Sequence, residues 1–190
     1  MPTEKKLFSK LATLVNTISV LGPLSFNTGG HGPRDWSFNL AAITAGMLIG
    51  SFIALKIHFP RPLVLGMIAI AFTSGWNLSL AMGAVLPIVL VSAFIGGIAI
   101  EIFGVAWGSS MQTNIPKESY SRVVSYDALG SYALAPIGIA FAGPLAEWIG
   151  ISTTLYGCAA ITLVGALVPL LLKSVRNLRS NLTEHSQTDM

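Results

Sequence analysis

Nineteen consecutive residues, Ala128 to Ala146, carry no charge, and five further stretches of similar length are almost as bare. A helix that crosses a bilayer needs about 20 mostly apolar residues, because each adds 1.5 Å toward a hydrocarbon layer of about 30 Å. The runs that meet this length are 7–26, 37–57, 63–82, 84–107, 125–148 and 151–172. They predict an all-α membrane protein with six transmembrane helices over 7–172, a cytoplasmic N-terminus (1–6) and a cytoplasmic tail (173–190) that is disordered past Ser180. The first run is the weakest, being broken by Lys10 and Asn16, and an interfacial helix is the alternative there.

Composition agrees. Charged residues make up 10% of the chain and hydrophobic ones 53%, with a mean hydropathy of +0.70. A water-facing domain carries about a quarter charged residues, so this chain cannot dress a soluble surface. Its one cysteine, Cys158, excludes an intrachain disulfide and a cysteine-built metal site.

The placement of charge tests the count of spans. Cytoplasmic loops collect Lys and Arg. With six crossings, Lys5, Lys6, Lys10, Lys56, Arg61, Lys117, Arg122, Lys173, Arg176 and Arg179 share one side, and Arg34 alone of the eleven cations falls on the other. Both termini are therefore expected in the cytoplasm. The same scatter over short connections removes nucleic acid as a partner, because no groove-sized basic patch exists. The longest ordered connection is expected at 108–122, with Pro116 ending the helix before it.

Small residues line the runs. Gly46 and Gly50 stand one GxxxG step apart, with Ala42 and Ala54 extending the row, and Ser131, Ala135, Gly138 and Ala142 share a helical face with Asp127. Lipid offers helices no hydrophobic reason to associate, so close backbone approach through such residues must supply it. Pro136 and Pro144 each remove a helix hydrogen bond and are expected to distort the fifth span.

Glu101 is the most informative residue. It lies six residues before Trp107, about 9 Å along a helix, on a row with Gly97, Gly104 and Gly108. An intramembrane carboxylate is costly and must face protein or water. It is either a protonatable or substrate-contacting acid, or an acid buried for packing. Asp127 is placed in the first turn of the fifth span, where the helix dipole favours an acid, with Ser125 as cap and Arg122 as a pairing partner. Its structural reading leads its functional one. Gln112 is expected to line the loop, with substrate contact as the alternative. Trp107 fits an aromatic belt at the membrane boundary, and Glu147 beside Trp148 fits an interfacial anchor. No span holds a histidine, and no HExxH, Walker loop or GxSxG occurs. Neither an enzyme nor a cofactor or metal protein is expected.

The run FGVAWGSSMQTNIPKESYSRVVSYDALGSYALAPIGIAFAGPLAEWIG resembles the stretch joining the tenth and eleventh helices of major facilitator superfamily exporters. The likeness is to the group of proton-driven drug and siderophore efflux pumps, where W…Q…P…SRV.S.D.LGS…P.G…AGPLAE recurs. DWSFNLAAITAGMLIGSFIALKI is similar to the eighth helix of that group, and Glu101 in IEIFGVAW matches its tenth-helix acid. Ala54 stands where the superfamily's loop motif often has aspartate. The resemblance implies one half of a major-facilitator bundle, helices seven to twelve, in a bacterial plasma membrane. Its function would be proton-coupled export of a small lipophilic or cationic molecule by alternating access. Glu101 would then be a coupling or recognition site, with Gly46, Gly50, Gly97, Gly104, Pro136, Gly138 and Pro144 shaping packed or moving helices. A transport path between two halves further implies a missing amino-terminal half or a second copy. A truncated, non-transporting fragment or helical scaffold is the alternative.

Overall fold

The described residues are helical and joined by short turns. A computed structural model of the chain describes residues 21–27, 31–56 and 61–171. The expected N-terminus, most of the first expected span and the tail lie outside the described residues, as do the side chains of 130–135, 137 and 138, Gly138 among them. After a short helix at 21–27 come α1 (Pro33–Lys56), α2 (Pro62–Ala81), α3 (Leu86–Asn114), α4 (Lys117–Ile149) and α5 (Ile151–Leu171). Of these, α1, α2, α3 and α5 are long and apolar enough to cross a membrane; in α4 the described apolar stretch is Ile139–Ile149. The chain is an all-α integral membrane protein.

Proline starts three of the helices and glycine turns two corners. Pro33 opens α1, and Pro62 and Pro87 sit in the first turns of α2 and α3, where a missing N–H costs nothing. Between α2 and α3, Gly83 adopts φ +60°, and Gly150 between α4 and α5 adopts φ +90°. Side chains rarely tolerate that region, so these two junctions depend on glycine. At the opposite end, Ile115 and Pro116 are all that separates α3 from α4.

That last junction corrects the expected connection over 108–122. Apart from Ile115 and Pro116 the segment is helical, α3 running on to Asn114 and α4 starting at Lys117. Nothing in MQTN or KESYSR breaks a helix. Pro116 alone does so, forcing Ile115 into an extended conformation with φ −112° and ψ 127°. Both Pro136 and Pro144 sit inside the continuous α4.

The packing is inverted relative to a soluble bundle. Phe52, Leu55, Phe72, Phe141 and Trp148 are exposed, whereas the buried residues of α1 are Asn39, Gly46, Gly50 and Ala54. Large apolar side chains turned outward make sense only where the surroundings are apolar. Inside, α1 and α3 touch backbone to backbone. A Cβ on Gly46 would stand 3.0 Å from the Phe94 carbonyl carbon and 3.2 Å from Ile98 N, and one on Gly97 would stand 3.0 Å from Met47 N. The GxxxG step of α1 and Gly97 of α3 thus form one seam. α2 lies on the other side of α3, with Gly66 under Ala106 and Phe103 and with Ser79 and Ser92 hydroxyls 2.7 Å apart.

Two hydrophobic clusters hold the ends. Near the Gly83 and Gly150 turns, Trp76, Leu80, Val89, Ala93, Ala142, Ala146 and Leu155 pack with Leu21 and Phe26, drawing α2, α3, α4 and α5 together. Toward the Pro116 end, Met67, Ile70 and Ala166 join α2 to α5, with Ile100 and Phe103 of α3 against them.

Candidate functional site: an acid on the α1–α3 seam

Glu101 stands at the middle of α3, about 20 Å from either end. It is half-buried. Its Cβ lies where a Cβ on Gly50 would come within 2.9 Å, so the acid rests on the α1 glycine row. One turn earlier Gly97 is buried against α1, while one turn later a Cβ on Gly104, or further along on Gly108, would meet nothing within 4 Å. The row through Glu101 therefore passes from a closed seam to open space.

Asp127 lies ten residues inside α4, because that helix begins at Lys117. It is consequently not a first-turn acid. Ser125 does not cap the helix; its hydroxyl donates to the Ser121 carbonyl at 2.8 Å. The partner of Asp127 is Trp107, whose Nε1–H donates to Oδ2 at 3.2 Å. The Trp107 ring in turn lies nearly parallel to Phe103, with centroids 6.5 Å apart and an angle of 15°. Trp107 is half-buried and bonded between helices, a role that the sequence pattern of an aromatic belt does not reveal. Arg122 is exposed on α4 beside Ser121, Ser125 and Tyr126. Gln112 is exposed on the last turn of α3. Glu101, Asp127 and Gln112 thus sit on α3 and α4 at successive depths and do not converge on one pocket.

A second polar feature escapes the sequence reading. Asn39 on α1 is wholly buried, and its Oδ1 accepts the Trp76 indole N–H at 3.2 Å, bridging α1 to α2. Among the described residues the Asn39 Nδ2 and the buried Asn77 Oδ1 have no partner. The signal was available: an amide inside an apolar run obeys the rule that singled out Glu101.

Over 167 residues, which is 84% of this chain and 39% of the relative, the sequence is 28% identical to the multidrug efflux pump Tap of Mycolicibacterium fortuitum. It is 26% identical over 162 residues to proteins of the same name in Mycobacterium tuberculosis and Mycobacterium bovis, again covering 84% of this chain and 38% of theirs. The chain spans about two fifths of the length of these curated relatives. No family model and no solved structure matches it.

Proposed function

We propose that the chain is one half of a proton-driven exporter of the major facilitator kind, matching helices seven to twelve. It moves small lipophilic or cationic molecules out of a bacterial cell by alternating access, crossing the plasma membrane six times with both termini in the cytoplasm. The observation that carries the reading is Glu101, a half-buried carboxyl at mid-helix in an apolar, membrane-crossing segment. Such a group is costly in hydrocarbon and is kept where protons or ions pass. The similarity to proteins named multidrug efflux pumps supports export and drug-like cargo.

In this reading Glu101 takes and releases the coupling proton. Asp127 and Gln112 contact the path on its cytoplasmic side. Gly46, Gly50, Gly97, Gly104, Pro136, Gly138 and Pro144 set how the helices pack and bend. The other wall of the path comes from a missing amino-terminal half or a second copy, because a midplane site between pseudosymmetric halves needs both. The test pairs this chain with a matching amino-terminal half in proteoliposomes and compares proton-driven efflux of a lipophilic cation for wild type and Glu101→Gln. Efflux is expected to lose its dependence on the proton gradient. Coupling that survives the substitution removes the role given to Glu101.

A further inference from the structure

We infer that Gly50 is the positioning residue for Glu101: the lack of a side chain at 50 is what lets the acid of α3 stand against α1. The inference rests on the reading of Glu101 as the coupling group. A Cβ at position 50 would lie 2.9 Å from the Glu101 Cβ, 2.9 Å from the Ile98 carbonyl oxygen and 3.0 Å from the Ile98 Cα. Carbon atoms in contact settle at about 3.5–4.0 Å. Two of these three neighbours are backbone and cannot rotate away, and the third is the first side-chain atom of the acid itself. Even one methyl group must therefore lift α1 from α3 at the turn that bears Glu101.

Gly50 is distinct from the rest of the seam. Gly46 and Gly97 meet only backbone atoms of the facing helix, whereas among the described glycines Gly50 alone has an ionisable side chain among its three nearest neighbours. The seam is already close to opening there, since the next residue of the row, Gly104, faces open space. In an apolar medium a carboxyl must face protein or water, and the distance between α1 and Glu101 decides how much water reaches it. Position 50 sets that distance.

The experiment needs no transport. The full chain in phosphatidylcholine vesicles is treated with lipid-soluble dicyclohexylcarbodiimide, which modifies carboxyl groups in apolar surroundings, and the adduct at Glu101 is read by peptide mass. The adduct is expected in wild type and absent in Glu101→Gln. It falls several-fold in Gly50→Ala and further in Gly50→Val, as water enters beside the acid. It is unchanged in Gly104→Ala, whose methyl group meets nothing within 4 Å. An unlabelled wild-type Glu101, wild-type labelling in Gly50→Ala, or an equal fall in Gly104→Ala overturns the proposal. Should Gly50→Ala not be recovered folded, wild type is treated with a water-soluble carbodiimide and an amine, which modify only a hydrated carboxyl: Glu101 is expected to be protected, and its modification overturns the proposal. Failure of the coupling reading looks different: the labelling pattern stands while efflux by the paired halves ignores Glu101→Gln.

Discussion

The Trp107 indole donates its proton to the Asp127 carboxylate over 3.2 Å, and this bond links α3 to α4 eight residues before their shared turn on one side and eleven after it on the other. A hydrogen bond to a charged group contributes about 1.5–3 kcal/mol in water-soluble proteins, and interhelical bonds in membranes average about 0.6 kcal/mol. Trp107→Phe, which keeps the ring against Phe103, is expected to destabilise the fold by about 1 kcal/mol. Asp127→Asn keeps an acceptor oxygen and is expected to lose less. In a double-mutant cycle read by unfolding in mixed micelles, Trp107→Phe with Asp127→Ala should cost little more than the dearer single change. Additive losses would mean that the two residues do not act as a pair.

Gly97 and Gly104 lie two turns apart on α3 and should respond to alanine with opposite signs. At Gly97 the new methyl group strikes the α1 backbone, and overpacking of this sort costs about 1–3 kcal/mol. At Gly104 the methyl group meets nothing, so the helix gains about 0.5–1 kcal/mol from the lost freedom of glycine. Thermal unfolding of the two variants in one detergent checks both; a loss at Gly104 equal to that at Gly97 contradicts the seam geometry.

The Asn39 amide predicts a third asymmetry. Asn39→Ala leaves the buried Trp76 N–H without its acceptor and is expected to cost about 1–3 kcal/mol. Trp76→Phe removes the donor but leaves Asn39 with more unmet polar atoms inside the bundle, so it does not restore stability. Combining the two changes should destabilise by less than their sum. Equilibrium unfolding of the three proteins decides the matter.

Arg34 and Lys117 bracket the expected topology. Arg34→Cys and Lys117→Cys should each react with a membrane-impermeant maleimide, from opposite faces of sealed vesicles. Native Cys158 is buried and should stay silent. Labelling of both sites from one face would dismantle the sidedness derived from the cations.

Much of this architecture was legible because hydrocarbon imposes a coarse rule on composition. The Gly46–Gly50 step announced a close contact, and Gly97 supplied its counterpart. Glu101 was visible because a lone acid in an apolar run must find protein or water to face. What stayed hidden depends on where helices end and which ones face each other. Ser125 and Asp127 look like a helix start when the preceding MQTNIPKESYSR is read as a polar loop, yet a polar sequence with one proline is also a good helix pair. Trp107 reads as a boundary residue until α4 brings Asp127 beside it. Asn39, an amide in an apolar run, carries the same kind of signal as Glu101, but its burial and its bond to Trp76 are what define its role.

The surplus length of α3 and α4 has a consequence of its own. α2 and α5 measure about 30 Å, a match to the hydrocarbon layer, whereas α3 and α4 measure about 43 and 50 Å. All four meet at the tight Gly83 and Gly150 corners, so the excess emerges together at Ile115 and Pro116. Trp107 sits about 31 Å from the start of α3, a rise equal to the thickness of that layer. Glu101 thus rides on an unbroken helix longer than the hydrocarbon layer is thick, about 20 Å from the tip at Ile115 and Pro116, so a displacement of that tip by another subunit or an antibody fragment is carried along one rod to the carboxyl.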